Sequence, residues 1–192
     1  MIFDKDLKMK KHFIRLVALL AFSAACSGCC TRSTVVAGLS PRLKDYYAIY
    51  PSVELDIAAV TAAEAEDIRS QTAEDYFAAG NPVRRGVAPY TLTFSSEKTE
   101  PQTMKRGVDA WSAWLEKKPE KLAVVANLPR GTEKIGGRKD PRVLILDLES
   151  AFLWPDTLYF EIVPGGVARI YKKPVDPESE TKKLKAGLKK SK

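Results

Sequence analysis

Histidine is almost absent from this sequence, and that absence excludes several kinds of chemistry. The single histidine, His12, lies within the first 25 residues, a segment that we interpret below as a cleaved leader. The rest of the chain has no imidazole. It therefore lacks the means for Ser–His or Cys–His nucleophilic catalysis, for a histidine general base and for a histidine metal ligand. We expect a protein that is not an enzyme and that has no metal site and no cofactor.

Cysteine is scarce as well and is confined to one short stretch. All three cysteines stand in LLAFSAACSGCC (residues 19–30), and none follows Cys30. A disulfide framework in the body of the chain is therefore excluded. Cys26 and Cys29 have the spacing of a redox motif, but no strand–helix pattern surrounds them. The residues upstream favour a different role.

Long apolar runs are missing too. The run nearest the N-terminus, residues 16–22, is much shorter than the roughly 20 residues that cross a bilayer. It follows a basic front at residues 10–15 and precedes small residues, which is the layout of a secretory signal peptide. We predict that residues 1–25 are such a signal. Two aspartates lie upstream of Met9, which is unusual ahead of a signal, so Met9 is the expected natural start.

The small residues directly before Cys26 predict a lipid attachment site. The run SAA resembles the lipobox of bacterial lipoproteins, in which small side chains admit the backbone to a narrow peptidase cleft. The thiol then takes a diacylglyceryl group and the new amine another acyl chain, such as palmitate, which together give stable anchoring. We predict lipidation at Cys26, with Cys29 as the alternative. Ser27 replaces the aspartate of inner-membrane retention, so we expect an outer-membrane protein facing the periplasm.

The formal charge of +7 does not indicate a nucleic-acid partner, because it belongs to the two ends of the chain. Residues 1–25 carry five Lys or Arg and two Asp, a net +3, and residues 172–192 carry eight Lys and three acidic residues, a net +5. The net charge of residues 26–171 is therefore −1. We predict a disordered basic tail over 172–192, because it is charged and poor in apolar residues. Contact with anionic lipid headgroups or another polyanion, and a purely solubilising role, both stay open for it.

The residues after the leader suffice for one domain with a real core. Residues 31–40, TRSTVVAGLS, are small and polar, and they favour a lipidated tether over 26–40 with the domain at 41–171. Within that domain the alternation and the apolar runs predict about six strands. They are SVELDIAAV, YTLTF, LAVVANL, VLILDL, LYFEIV and VARIY, and the last two flank Pro-Gly-Gly as a hairpin.

Two helical insertions interrupt these strands. Thr61 and Glu64 predict a capping box at the start of the Ala/Glu-rich segment 61–79. Trp111 and Trp114 lie at helical spacing within residues 105–118 and predict an amphipathic helix. There is no regular βαβ alternation. The simplest architecture is therefore mainly β, a two-sheet antiparallel β-sandwich with one or two helical insertions.

Six segments follow one another in an order known from one protein family. SVELDI, DYFAAGNPVRR, YTLTF, KLAVVANLPR, RVLILDL and LYFEIVPGGV cover residues 52–170. This order resembles the outer-membrane lipoprotein of type VI secretion systems, the SciN/VasD family. The resemblance implies a transthyretin-like β-sandwich with a lipidated cysteine and a short tether. It also implies a non-catalytic anchor that binds the periplasmic domain of an inner-membrane secretion component.

The chain departs from that family after the predicted strand at 52–60. The family usually has a partner-binding loop there, whereas this chain has the Ala/Glu-rich, helix-like segment. We predict that Thr61 to Thr72 contacts the partner, with Glu64, Glu66 and Asp67 steering a basic surface. The alternative, that the segment covers an open face of the sheet, stays open.

A function of another class also stays open, namely a periplasmic carrier or a carboxylate-only enzyme of cell-wall or lipid metabolism. Asp147, Glu149 and Glu161 are its candidate acid and base, but alternation places Asp147 and Glu161 on the solvent faces of strands. A large cleft with two facing carboxylates would favour this function, and a filled sandwich core would disfavour it.

Overall fold

The computed structural model describes residues 32–129, 140–148 and 155–179. The strands are β1 (Thr34–Leu39), β2 (Val53–Val60), β3 (Tyr90–Phe94), β4 (Gln102–Met104), β5 (Lys121–Asn127), β6 (Val143–Asp147), β7 (Thr157–Val163) and β8 (Gly166–Ile170). The helices are α1 (Arg42–Tyr47), α2 (Ala62–Arg69), α3 (Ala73–Phe77), α4 (Pro82–Val87) and α5 (Asp109–Glu116). The predicted signal sequence, Cys26, Cys29 and Glu149 lie outside these ranges. Within the ranges, no helix is both long and apolar enough to cross a membrane.

The described residues form the predicted two-sheet sandwich, with eight strands where the sequence predicts about six. Sheet A has the order β4-β1-β7-β8 and sheet B the order β3-β2-β5-β6. The pairs of sheet B are antiparallel, as are β1–β4 and β7–β8. The pair β1–β7 is parallel, with Thr34 opposite Thr157 and Leu39 opposite Ile162. The mainly β, two-sheet fold is thus confirmed, and one parallel pair is added that the sequence pattern did not predict.

Strand β1 shortens the predicted tether. Five of the six residues of Thr34–Leu39 are buried, and the strand lies between β4 and β7. The run TVVAGL does not alternate because both of its faces are covered, so it lacks the pattern of a half-buried strand. The prediction of a tether over 26–40 and of a domain starting at residue 41 is therefore wrong, since the domain includes residues 33–40.

The start of the predicted basic tail packs on sheet A. Pro174 is buried, and the Thr99 hydroxyl donates a hydrogen bond of 2.9 Å to the Asp176 carboxylate. A Cβ on Gly38 would lie 2.6 Å from the Cβ of Pro174, so this proline lies directly on the backbone of β1. The prediction of disorder is therefore wrong for residues 174–179, because two buried prolines make contacts that a charge-rich composition conceals. Residues 180–192 lie outside the described residues.

The Ala/Glu-rich segment forms two helices. The Thr61 hydroxyl accepts from the Glu64 N–H, and the Glu64 carboxylate accepts from the Thr61 N–H, so the predicted capping box is present. Thr72 caps a second start, because its hydroxyl accepts from the Asp75 N–H at 3.2 Å. This local competition for backbone donors divides the segment into α2 and α3.

Helix α4 was not predicted, whereas α5 was. Asn81 caps α4 by accepting from the Arg84 N–H at 2.9 Å, and Pro82 occupies the first turn, where its missing N–H costs nothing. In α5, Trp111 and Trp114 are fully buried with ring centroids 5.2 Å apart in an edge-to-face arrangement. The predicted Trp-lined face is therefore confirmed as part of the core.

Candidate functional site

A helical layer, defined here as residues 61–89 with α2, α3 and α4, covers the face of sheet B that points away from the sandwich core. Leu55 and Ile57 belong to the buried core, and Asp56 projects to the opposite face because successive strand residues alternate. On that face the Asp56 carboxylate meets Arg84 of α4. The layer therefore covers an open sheet face, one of the two roles left open by the sequence, while its outer surface stays exposed.

The first attachment of the layer is the Asp56 cluster, which consists of Asp56, Glu54, Arg84 and Thr91. Arg84 donates to Asp56 at 2.8 Å and to Glu54 at 3.1 Å, and the Thr91 hydroxyl donates to Asp56 at 2.6 Å. The Asp56 side chain is only 1% exposed. The hydrogen bonds to Asp56 raise the pKa of Arg84 above its ordinary value. The cluster fixes α4 over β2, because a buried carboxylate needs this partner.

The second attachment is the Arg142 cluster, which joins α3 to the segment entering β6. Both terminal nitrogens of Arg142 donate to Glu74 at 2.6 Å, and Arg142 donates to Asp140 at 2.9 and 2.6 Å. Asp140 also accepts from the Ala73 N–H at 3.0 Å. The hydrogen bonds that Arg142 donates to Glu74 and then to Asp140 raise the pKa of Arg142 above its ordinary value. A bidentate guanidinium with two carboxylates positions α3 closely.

Glu64, one of the predicted contact residues, has an internal role. Its carboxylate accepts from the Thr61 N–H at 2.9 Å and from the Lys117 ammonium at 3.0 Å. Partial burial raises the pKa of Glu64, but the hydrogen bonds from Thr61 and Lys117 outweigh it, and the pKa lies below its ordinary value. Glu64 therefore ties the layer to the residue that follows α5, and it is held in place before any partner arrives.

Glu66 and Asp67, the other two predicted contact residues, face solvent on α2. The Glu66 side chain is 70% exposed and pairs with Arg69 on the same helix. The backbone carbonyl of Asp67 accepts from the Ser70 hydroxyl, and its carboxylate is left at the surface. The surface around α2 and α3 thus carries small residues and charges, which suits the close approach of a partner.

The fold can now be compared with known proteins. No protein-family model matches the chain, and no curated protein matches it. Among solved structures, a chain of a "Type VI membrane complex" has a TM-score of 0.50 at 12% identity, covering 72% of this chain and 97% of that one. This chain shares its fold with a component of a type VI membrane complex. The sequence resemblance is thereby confirmed at the level of the fold.

Other type VI secretion structures are similar at lower TM-scores. The TssM C-terminal domain from EAEC has a TM-score of 0.49 at 14% identity and covers 72% of this chain and 99% of that one. The lipoprotein TssJ1 from Pseudomonas aeruginosa has a TM-score of 0.45 at 14% identity, with coverages of 74% and 98%.

Asp147 and Glu161, two of the three carboxylates considered for an enzyme, lie on strands of different sheets. Asp147 is exposed and pairs with Lys121, and this hydrogen bond lowers the pKa of Asp147. Glu161 is half-buried on β7 in the other sheet. Across the described ranges, no group of three or more His, Cys, Asp and Glu side chains is placed to hold a metal ion.

Sequence reasoning missed the charged residues that attach the helical layer. The alternation in β2 gives no sign that α4 covers the face on which Asp56 lies. Arg84 and Arg142 were not singled out, since their partners lie 28 and 68 positions away in Asp56 and Glu74. The sequence offers only a weak signal for these two arginines. They stand in NPVRR and DPRV, just after turn-forming residues, and neither segment indicates which carboxylate the arginine pairs with.

Proposed function

We propose that this protein is a lipid-anchored, non-catalytic component of a type VI-like secretion complex in the cell envelope. The observation that carries the proposal is the type VI membrane-complex fold, with a first strand starting at Thr34, eight positions after Cys26. Acyl chains on Cys26 hold the domain at the outer membrane, on its periplasmic side. The exposed surface of the helical layer binds the periplasmic domain of an inner-membrane component.

The packing of the domain counts against the carrier or enzyme alternative. The space between the sheets is filled by large side chains, among them Phe160, Leu55 and Leu122, each fully buried. Among the described residues, the buried carboxylates of Asp56 and Asp140 are occupied by guanidinium groups. A filled core with neutralised carboxylates suits a component that is recognised at its surface.

Replacing Cys26 tests the anchor. In cells fed labelled palmitate, Cys26→Ala should abolish incorporation of the label, because cleavage before Cys26 makes its thiol and its new amine the two groups that are acylated. Cys29→Ala is the matched control and should keep the label. Undiminished labelling of Cys26→Ala, with loss of the label in Cys29→Ala, would move the anchor to Cys29; full labelling of both would end the lipidation proposal.

Charge reversal on α2 tests the partner surface. Glu66→Lys with Asp67→Lys should leave the circular dichroism spectrum unchanged, because both side chains are exposed. We expect capture of the periplasmic domain of the inner-membrane component to fall about tenfold at low salt, through a slower association rate. Glu97→Lys with Glu100→Lys, on the β3–β4 connection, is the control of equal charge and should retain capture. Retained capture by the folded α2 variant would contradict this surface.

A further inference from the structure

Strand β8 forms an edge of sheet A, and the start of its outer side is covered. In the order β4-β1-β7-β8, β7 pairs with one side of β8, and no strand that the structure describes lies on the other. At the start of that outer side the Val167 N–H donates to the Pro141 carbonyl at 3.1 Å. A Cβ on Gly166 would lie 2.5 Å from the same carbonyl oxygen. The segment before β6 therefore closes the first part of this edge.

The second part of this edge is open. Backbone groups of successive strand residues point to opposite sides, so the N–H and C=O of Arg169 point the same way as the Val167 N–H. They point away from β7, and among the described residues no backbone group is hydrogen-bonded to them. An unpaired edge of this kind is a template for an additional strand.

A basic groove adjoins the open part of β8. It has a volume of about 580 Å³, and its charged lining residues are Arg169, Lys172, Lys173 and Glu161. These three cations and one carboxylate give the lining a net charge of +2. Tyr171 also lines the groove and is 85% exposed, and the Arg169 guanidinium lies 5.5 Å from the centre of its ring. The groove thus offers positive charge and an aromatic surface beside unpaired backbone groups.

We infer that the open part of β8 and the basic groove bind an extended acidic segment of a partner protein, which pairs with Arg169 as an additional strand of sheet A. The Arg169 backbone supplies main-chain hydrogen bonds, the cations select acidic side chains, and Tyr171 packs against an apolar one. A second copy of this chain does not fit, because it would bring the same cations to the edge. The contact lies on sheet A, whereas the helical layer covers sheet B. The inference therefore goes beyond the proposed function and does not depend on lipidation of Cys26.

Amide hydrogen exchange of the full chain tests the strand pairing. The probe is a short synthetic peptide of alternating glutamate and valine residues, added to saturation. The bound peptide should slow exchange of the Arg169 amide at least about tenfold, because this N–H gains a backbone acceptor. The Val167 amide, already bonded to the Pro141 carbonyl, is the internal control and should exchange slowly with and without the peptide. Absence of binding, or binding that leaves exchange at Arg169 unchanged, would overturn the inference.

Paired substitutions test the cations. Arg169→Gln with Lys172→Gln should weaken binding of the same peptide at least about fivefold at low salt. Arg85→Gln with Lys105→Gln removes equal charge from exposed positions outside the groove and should weaken binding less than about twofold. Equal losses would show that only the net charge of the chain counts, and the assignment of this groove would then be wrong.

A proline at position 169 separates the role of the backbone from that of the side chain. Arg169→Pro removes the outward N–H but no hydrogen bond to β7, and an edge strand tolerates proline at such a position. It should bind the peptide at least about threefold more weakly than Arg169→Gln, which loses the same cation and keeps the N–H. Circular dichroism checks that both variants are folded. Equal binding by the two folded variants would contradict strand addition.

Discussion

Arg142→Met is expected to lower the free energy of unfolding by about 3–5 kcal/mol. The substitution keeps most of the side-chain volume but removes the guanidinium that neutralises Glu74 and Asp140. The Asp140 side chain is 7% exposed and would keep its charge without a cationic partner. The Leu128 carbonyl, which accepts from Arg142 at 3.1 Å, would lose a donor as well. Urea unfolding followed by circular dichroism gives the loss directly.

Two further variants separate the cluster from a general effect of lost charge. Arg69→Met removes a guanidinium that pairs with the exposed Glu66, and such surface pairs contribute only about 0–1 kcal/mol. Adding Glu74→Gln and Asp140→Asn to Arg142→Met should recover part of the loss, because no unpaired buried charge remains. A loss below about 1 kcal/mol in Arg142→Met would show that the cluster does not hold α3 in place.

The same cluster makes the free energy of unfolding depend on pH in the acidic range. Partial burial raises the pKa of Asp140, but the hydrogen bonds from Arg142 and Ala73 outweigh it, and the pKa lies below the ordinary aspartate value. On acidification the unfolded chain therefore takes up this proton first. The contribution of Asp140 is present above the ordinary aspartate pKa and is lost as the pH falls through the lowered value. Without the guanidinium the pKa of Asp140 rises. The free energy of unfolding of Arg142→Met should therefore fall less on acidification than that of the unchanged chain.

Removal of residues 174–192 is expected to lower the melting temperature by roughly 10 °C. This deletion uncovers the backbone at Gly38, on which Pro174 lies, and removes the hydrogen bond from Thr99 to Asp176. About 100–150 Å² of apolar surface returns to water, which corresponds to about 3 kcal/mol. For a domain of this size each kcal/mol shifts the melting temperature by about 2–4 °C.

The matched control for this deletion keeps the packed segment. A chain that ends at Ser179 loses the Lys-rich residues 180–192 but retains Pro174 and Asp176. Its melting temperature should stay within about 2 °C of the full chain. Equal melting temperatures for the two deletions would contradict a structural role for 174–179.

Features with a local cause could be predicted from the sequence. The capping box of Thr61 and Glu64, the buried Trp111 and Trp114, and the β7–β8 hairpin each depend on residues within a few positions of one another. Helix capping, helical periodicity and turn chemistry act over that range. The two-sheet architecture followed from counting strands and finding no βαβ alternation.

Features with a distant cause could not be predicted in this way. Strand β1 is recognisable only beside β7, because Thr34 pairs with Thr157, 123 positions later. Asp56 is buried only because α4 lies over it, whereas the apolar–polar alternation of β2 indicates a solvent-exposed position. Glu64 is of a residue type that is usually found at the surface, yet its carboxylate accepts a hydrogen bond from the Lys117 ammonium. In each case tertiary neighbours override a local pattern that indicates the opposite.

The central position of β1 determines how the domain responds to a pull on its N-terminus. The strand is hydrogen-bonded on one side to β4 and on the other to β7, and the chain enters it directly from the N-terminal side. When the opposite end of the domain is held, tension through residue 32 acts along β1. The hydrogen bonds on both sides then share the force in shear, instead of breaking one after another as they would at a peeled edge strand. Forced unfolding is governed by the unfolding rate, so this arrangement favours slow mechanical rupture.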